Sequence, residues 1–190
     1  MPRRARLAIL VLAALSACSP SKPDDASVSL QPSSMVRDWT TVRMELRRGV
    51  CLGTCPAYAI EIAGDGAVSY CGIAYVDVVG EKNRTVLEIE AHGLFDRFLK
   101  AKFFDLRDAY VGGPTDGPYY FVTVWYDGRG KRVSHYSGSE EGNALLGELE
   151  AAIDDLAGSK DWIGRGGEGP SSAFPDCAKR LEQPPPSAPS

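Results

Sequence analysis

Five cysteines constrain the fold of this 190-residue chain more than any other feature of its sequence. Four of them, Cys51, Cys55, Cys71 and Cys177, lie in or after the region with regular apolar patterning, whereas Cys18 lies well before it. A disulfide requires two Cα atoms about 4.4 to 6.8 Å apart, so each bond that forms fixes which backbone segments meet. Whether such bonds form depends on the compartment to which the chain is delivered.

The N-terminus is typical of an exported lipoprotein. Three arginines precede an apolar run over residues 7–15, which is too short to cross a bilayer as a helix. The run leads into Leu15-Ser16-Ala17-Cys18, which resembles the bacterial lipobox, in which the cysteine is acylated and becomes the first residue. We therefore predict a signal peptide over residues 1–17 and lipidation of Cys18, with palmitate among the acyl chains.

The predicted anchor implies a location. Acyl chains on Cys18 would hold the protein on a membrane surface, since each buried CH₂ contributes about 0.8 kcal/mol. An aspartate directly after the acylated cysteine would keep such a protein from the outer membrane. The chain has Ser19 at this position, which favours the outer membrane, with the protein facing the periplasm. Residues 18–35 are rich in Ser, Pro and Asp and predict a flexible spacer. We therefore expect a domain tethered in the cell envelope.

Composition indicates a single soluble domain and argues against a nucleic-acid partner. Charged residues make up 24% of the chain, the net charge is -4, and the basic residues are scattered. Apolar patterning predicts one domain over residues 36–163. Residues 164–190, rich in Gly, Pro and Ser, predict an irregular tail that contains Cys177.

Alternating apolar residues predict the first strands of the domain. Thr41–Arg47 alternates cleanly, and two further runs, Tyr58–Ala63 and Ala67–Tyr70, flank a Gly-Asp-Gly turn. A three-residue loop with a left-handed glycine at its end places Ile62 opposite Val68, so that the apolar side chains of both strands share one face. A two-residue loop would invert one strand and separate those faces.

This hairpin register also predicts the disulfide pairing. It places Cys71 on the face opposite to the apolar set, about four residue steps beyond the position that faces Cys55, which excludes a bond between these two. Gly53 allows the chain to turn between Cys51 and Cys55. Export and an even number of remaining cysteines indicate two bonds. We predict Cys51 with Cys55 and Cys71 with Cys177.

Further periodicities predict the rest of the domain. The predicted elements are strands over 75–79 and 85–89 joined by a turn at 80–83, a helix over 91–104, a hairpin of 119–126 with 132–136, and a helix over 141–156 capped by Ser139. The aromatic residues of the second hairpin form either part of the core or an exposed face for a partner. The fold class is α+β, a mainly antiparallel sheet of six to seven strands with two helices on one face.

Two groups of residues are candidates for chemistry. The Cys51-x-x-x-Cys55-Pro56 spacing resembles the copper-binding motif of the Sco copper-chaperone family, and His135 could complete a copper site. The residues after Pro56 alternate as a strand, however, whereas a helix follows the motif in that family. Disulfide staples are the preferred interpretation, with no metal and no cofactor, and a periplasmic thiol-redox or copper protein is the alternative.

A second candidate is a loop rich in Gly and Pro that contains Asp108, Tyr110 and Asp116. Its carboxylates could act as an acid and base pair in a hydrolase. Aspartates in such loops more often cap turns through their own backbone. The sequence therefore leaves open whether the protein is an enzyme, and it favours a protein that is not.

The chain resembles a family of bacterial envelope proteins that carry the domain of unknown function 6438. The resemblance lies in Arg48-Gly49-x-Cys51-x-Gly53-x-Cys55-Pro56-x-Tyr58, in Asp65-Gly66, in Gly72, in Asp108-x-Tyr110, in Asp116 and in Asp161-Trp162-Ile163. It implies an envelope location and a shared fold, and it implies no activity. Together with the residues it predicts a non-catalytic binding or structural domain, held to a membrane by its anchor, whose partner is an unidentified envelope protein or ligand.

Overall fold

The computed structural model describes residues 36, 38–112, 116–137, 139, 142–167, 169 and 175–177. Along the chain the elements are β1 (Arg43–Arg48), β2 (Ala57–Ala63), β3 (Ala67–Ala74), β4 (Gly80–Thr85), α1 (Glu88–Lys100), β5 (Ala109–Tyr110), β6 (Tyr119–Tyr126), β7 (Arg129–Tyr136), α2 (Asn143–Ala157) and α3 (Lys160–Ile163). The predicted signal peptide, Cys18 and the spacer lie outside the described residues. No helix in the described part of the chain is both long and apolar enough to cross a bilayer.

The strands form one seven-stranded sheet in the order β4-β3-β2-β1-β6-β7-β5. All neighbouring strands are antiparallel except β5 and β7, which are parallel. The two long helices, α1 and α2, bury apolar side chains against the same face of this sheet, which we call the inner face, and the opposite face is the outer face. The predicted α+β class, with two helices on one face, is confirmed.

The first hairpin has the predicted register. Ile62 pairs with Val68 and Ile60 with Tyr70. Gly66 has a φ of 81°, and a Cβ there would lie 2.3 Å from the carbonyl oxygen of Val86. Both the left-handed backbone and the close approach of another segment therefore require glycine at this turn.

Both predicted disulfides are present in the structure. The Cα atoms of Cys51 and Cys55 lie 5.7 Å apart, and those of Cys71 and Cys177 lie 5.9 Å apart. The first bond closes the loop between β1 and β2. The second joins the C-terminal region to the outer face of β3, where Cys71 is buried with Cys177 and Ile73 in a small cluster separate from the core.

The prediction for residues 75–89 was wrong. The predicted turn at 80–83 belongs to strand β4, and residue 88 already begins α1. The predicted strand over 75–79 is a loop held by two backbone hydrogen bonds, because the N–H groups of Asp77 and Val78 donate to the carbonyls of Ile163 and Trp162 at 3.1 and 2.9 Å. As an edge strand of charged residues, β4 has no apolar alternation from which it could be predicted.

The second hairpin turns more tightly than predicted. Asp127 and Gly128 both have positive φ, 45° and 76°, as the two central residues of a type I′ turn do. Strand β7 therefore begins at Arg129 instead of residue 132. The aromatic residues of this hairpin were expected to form either part of the core or an exposed face. The structure contains both arrangements, because Tyr126 is in the core whereas Trp125 lies on the outer face.

The start of the second helix also differs from the prediction. Ser139 does not cap it: α2 begins at Asn143 after Gly142, which has a φ of 76°, and no side chain caps the helix. A left-handed glycine there lets the chain turn sharply from β7 onto the inner face. The Gly142 backbone packs so closely against Tyr110 that a Cβ would lie 2.6 Å from its ring.

Candidate functional site

Three rows of side chains cross the inner face of the sheet, each row made of residues paired between neighbouring strands. The pairings give His135-Tyr120-Arg48-Tyr58, then Val133-Val122-Leu46-Ile60-Tyr70, then Val124-Met44-Ile62-Val68. The residues named in the second and third rows are apolar except for the tyrosine hydroxyl, and the rows continue into the charged residues Lys82, Arg84 and Lys131 of the outer strands. The first row, which we call the polar row, lies beneath α2, and its side chains form hydrogen bonds and ion pairs with that helix.

Arg48 is at the centre of the polar row and pairs with α2. Its Nη2 donates to Oδ2 of Asp154 at 2.8 Å, and its guanidinium carbon lies 4.4 Å from the centre of the Tyr120 ring. Asp154 also accepts from the hydroxyls of Tyr58 and Ser159, at 2.9 and 2.7 Å on Oδ1. This carboxylate thus accepts three separate donors, which leaves it little capacity for a further ligand.

One helical turn earlier, α2 places Glu150 against His135. Nδ1 of His135 and Oε1 of Glu150 are 3.0 Å apart, and the two residues are 1% and 2% exposed. Nη1 of Arg48 lies 3.9 Å from Oε2 of Glu150 and connects this pair to the rest of the row. Nε2 of His135 is buried without a hydrogen-bond partner among the described residues.

Burial governs the protonation of this region. It raises the pKa of the Glu150 carboxyl, and the hydrogen bond from His135 and the charge of Arg48 oppose that effect. Burial also raises the pKa of the Tyr58 hydroxyl, and the charge of Asp154 adds to the rise. Tyr58 therefore keeps its proton and remains a donor to Asp154. The row is a connected set of hydrogen bonds and ion pairs that fastens α2 to the sheet, although Nε2 of His135 and Nε of Arg48 have no hydrogen-bond partner among the described residues.

A small open cavity adjoins the row where α2 turns into α3. It has a volume of about 280 Å³ and is lined by Asp154, Asp155, Gly158, Ser159, Lys160, Ile163 and Gly164. Its lining contains none of the four residues of the polar row, but it does contain their partner on α2, Asp154. The lining contains both acidic side chains, Asp154 and Asp155, and a basic one, Lys160, so it does not select for a ligand of one charge.

The three residues of the second candidate site, Asp108, Tyr110 and Asp116, make contacts that hold the fold together. Asp108 forms an ion pair with Lys131, and its carbonyl accepts from the N–H of Ser134 at 2.8 Å. Tyr110 is 9% exposed and joins the core cluster. The carbonyl of Asp116 accepts from Leu52 at 3.2 Å. Each of the three residues thus has its own separate partners.

The loop closed by Cys51 and Cys55 is held against the start of β6. The N–H of Gly49 donates to the carbonyl of Tyr119 at 2.8 Å, and between the cysteines Leu52 is 83% exposed. Within the described residues, no group of three or more His, Cys, Asp or Glu side chains could hold a metal ion. The alternative set of Cys51, Cys55 and His135 is therefore not assembled as a metal site.

Sequence reasoning did not find the acidic members of this site. The apolar spacing in the sequence predicts a stripe of Leu145, Leu149, Ala152, Ile153 and Leu156, and it assigns no role to Glu150 or Asp154. The buried stripe instead contains Leu146, Leu149, Glu150, Ile153 and Ala157. The spacing of Glu150, four residues after Leu146 and three before Ile153, is the signal that could have placed it on the buried side.

These observations define a class: an α+β domain with a mainly antiparallel sheet, helices on one face and a buried polar row beneath one of them. The chain belongs to the family described as domain of unknown function (DUF6438), whose family model matches residues 42–157. The matched region includes the whole polar row and both of its acidic partners on α2, and it ends before Asp161-Trp162-Ile163. No curated protein matches the chain.

Proposed function

We propose that this protein is a lipid-anchored component of the bacterial envelope, located on the outer membrane and facing the periplasm, and that its domain is a non-catalytic binding or structural domain. The observation that carries the proposal is the pair of disulfides within one small domain. Such bonds persist in exported proteins and are rare in the reducing cytosol. The lipobox-like sequence ending at Cys18 supplies the means of anchoring.

The polar row supports a role without catalysis. A general acid or nucleophile must be able to reach a substrate. Here Glu150 and His135 are buried against each other, and Asp154 already accepts hydrogen bonds from three donors. The energy of these contacts is thus used to orient α2.

The anchor is tested by comparing the wild type with Cys18→Ala in cells fed a clickable palmitate analogue. Wild-type protein is expected to carry the label and to sediment with the outer membrane, whereas Cys18→Ala carries no label and appears in the soluble periplasmic fraction. Substitution of Ser16 by alanine, which keeps the cysteine, is the matched control and retains the label. Unlabelled wild-type protein, or wild-type protein in the cytosol, would contradict the proposal.

A thiol-redox protein is the second candidate, favoured by the exposure of the loop between Cys51 and Cys55. A count of free thiols in the folded protein, before and after mild reduction, separates the two candidates. For a staple we expect no thiol before reduction, and no copper uptake or disulfide exchange with a reduced test protein afterwards. Cys51→Ser with Cys55→Ser is the control that isolates the other disulfide.

A further inference from the structure

The outer face of the sheet is not part of the hydrophobic core. Both long helices pack on the inner face, and the core cluster contains inner-face residues of the strands. The outer face nevertheless has two large aromatic side chains, Phe121 and Trp125, each half-buried. The Trp125 ring packs against Gly130, where an added Cβ would lie 2.8 Å from Cδ1, and the guanidinium carbon of Arg132 lies 5.2 Å from the centre of the Phe121 ring. Strand β6 therefore presents two aromatic side chains on the outer face, next to strand β1.

The second disulfide places the C-terminal end of the chain on this same face. Cys71 pairs with Ala59, Ala59 with Arg47, and Arg47 with Phe121, so these four residues form one row across the outer face. Cys177 is bonded to the first of them. At about 4.8 Å per strand, Phe121 is about 14 Å from Cys71 across the sheet, and Trp125 is about 13 Å further along β6.

The residues that follow Cys177 have the composition of a ligand for an aromatic surface. Residues 178–190 read Ala-Lys-Arg-Leu-Glu-Gln-Pro-Pro-Pro-Ser-Ala-Pro-Ser. Consecutive prolines favour the polyproline II conformation, which docks against aromatic side chains at a low cost in entropy. We propose that residues 178–190 bind in cis to the outer face, with Pro184–Pro186 against Phe121 and Trp125.

The length and charge of the segment suit this site. Pro184 is the seventh residue after Cys177, so a polyproline II chain at about 3.1 Å per residue reaches about 22 Å, enough for either aromatic side chain. The segment begins with Lys179 and Arg180. Glu61 is a diagonal neighbour of Cys71 on the outer face; its carboxylate lies 3.6 Å from Nε of Arg43, and its side chain remains 40% exposed. The basic start of the segment therefore meets an accessible carboxylate next to its point of attachment.

This inference goes beyond the proposed function and does not depend on the lipid anchor. It assigns the outer face as a binding site for proline-rich sequence, filled by the chain itself. Because the disulfide holds the segment near its site, even a weak contact is occupied, as in any tethered pair with a short linker. A partner that uses this face must displace the segment first.

Fluorine NMR of the exported chain labelled with 5-fluorotryptophan tests the proposal directly. The protein contains Trp39, Trp125 and Trp162, and Trp125→Phe assigns the resonance of interest. A chain that ends at Ala178 keeps the disulfide but lacks the proposed ligand. We expect the Trp125 resonance to move by more than its line width on truncation, while the two other resonances, from rings packed against His92 and Tyr70, do not move.

Replacement of Pro184–Pro186 by alanine in the full-length chain is the second variant, and it is expected to reproduce the Trp125 resonance of the truncated chain. A synthetic peptide of residues 178–190, added to the truncated chain, is expected to restore the original position. An identical Trp125 resonance in full-length and truncated chains would overturn the proposal. A Trp125 resonance that moves on dilution of the full-length chain would also overturn it, because the occupant would then be a second copy.

Discussion

The two long helices lie side by side on one face of the sheet but are attached in different ways. α1 buries Ala91, Leu94, Phe95 and Phe98 over the apolar rows. α2 also buries apolar residues, but it places Glu150 and Asp154 above the polar row. One helix is therefore held mainly by burial of apolar surface, and the other partly by buried charge.

The two kinds of attachment are expected to contribute differently to stability. Apolar burial contributes about 25 cal/mol per Å² and does not depend on direction. A buried ion pair must first offset the cost of removing its charges from water, and its net contribution is often near zero. It is nevertheless specific, since only one position of α2 satisfies Arg48, Tyr58 and His135 together. We infer that α1 supplies stability and that the polar row sets the position of α2.

The largest effect is expected on the α1 side. Phe98 is fully buried and contacts Phe103 edge to face, with ring centres 5.2 Å apart. Phe98→Ala should lower the free energy of unfolding by about 4 kcal/mol, through lost transfer energy and a residual cavity. Urea denaturation measures it. Leu87→Ala, at a side chain that is 66% exposed, is the control and should change stability by less than about 0.5 kcal/mol.

The next effect is expected from Arg48→Met, which keeps an apolar side chain but removes the charge that faces Asp154 and Glu150. Breaking one partner of a buried pair leaves uncompensated charge, and we expect a loss of about 3 kcal/mol. Arg43→Ala, at an ion pair with Glu61 that is about 40% exposed, should cost about 1 kcal/mol or less. Equal losses for the two arginines would show that the polar row is no different from a surface pair.

A pH series tests the acidic side of the same row. Because burial raises the pKa of Glu150, the folded protein binds this proton more tightly than the unfolded chain does. Its contribution is complete below the ordinary glutamate value of 4.5 and is lost as the pH rises through the raised pKa. The groups that face it are Arg48 and His135 from the sheet and Asp154 from α2 itself.

Glu150→Gln should therefore lose less stability than the wild type does between pH 4.5 and neutrality. The difference is worth about 1.4 kcal/mol for each unit by which the pKa is raised. Urea unfolding at several pH values measures it. Glu148→Gln, at an exposed position of the same helix, is the matched control and should follow the wild type. Parallel curves for wild type and Glu150→Gln would contradict the assignment.

The smallest effect is a matched pair of substitutions within the helices. Gly93 in α1 and Gly147 in α2 both have open space where a Cβ would lie. Alanine at either position should stabilise the protein by about 0.5 to 1 kcal/mol, because the unfolded chain loses freedom. Thermal unfolding measures both. Equal gains would show that α1 and α2 differ in stability only through the residues that they bury. Unequal gains would show that the two helices also differ in the stability of their own backbone.

Local patterns predicted much of the fold. Alternation located β1, β2 and β3, and the requirement that apolar faces match fixed the register of the first hairpin. That register in turn excluded one of the three possible disulfide pairings, and the observed pairing is one of the two that remained. These predictions succeeded because each rests on residues close in sequence, where side-chain direction follows directly from backbone geometry.

The polar row could not be predicted in the same way. Arg48, His135 and Asp154 are far apart in sequence, and each in isolation is typical of a solvated strand end or helix surface. Strand β4 was missed because a charged edge strand has no apolar period, and the tight turn at Asp127 displaced the start of β7. Only the order of strands and the path of α2 bring these side chains together.

The sequence by itself determined the class of fold, the first hairpin and the bond between Cys51 and Cys55, since each depends on local periodicity or on the reach of a short segment of chain. The bond between Cys71 and Cys177, 106 positions apart, was predicted by pairing the two cysteines that remained. The tertiary structure alone decided that β1 lies between β2 and β6 and that α2 crosses above the ends of these strands. The physical reason is that a charge is buried only where its partner is buried too. That condition joins residues about a hundred positions apart, and no local pattern records it.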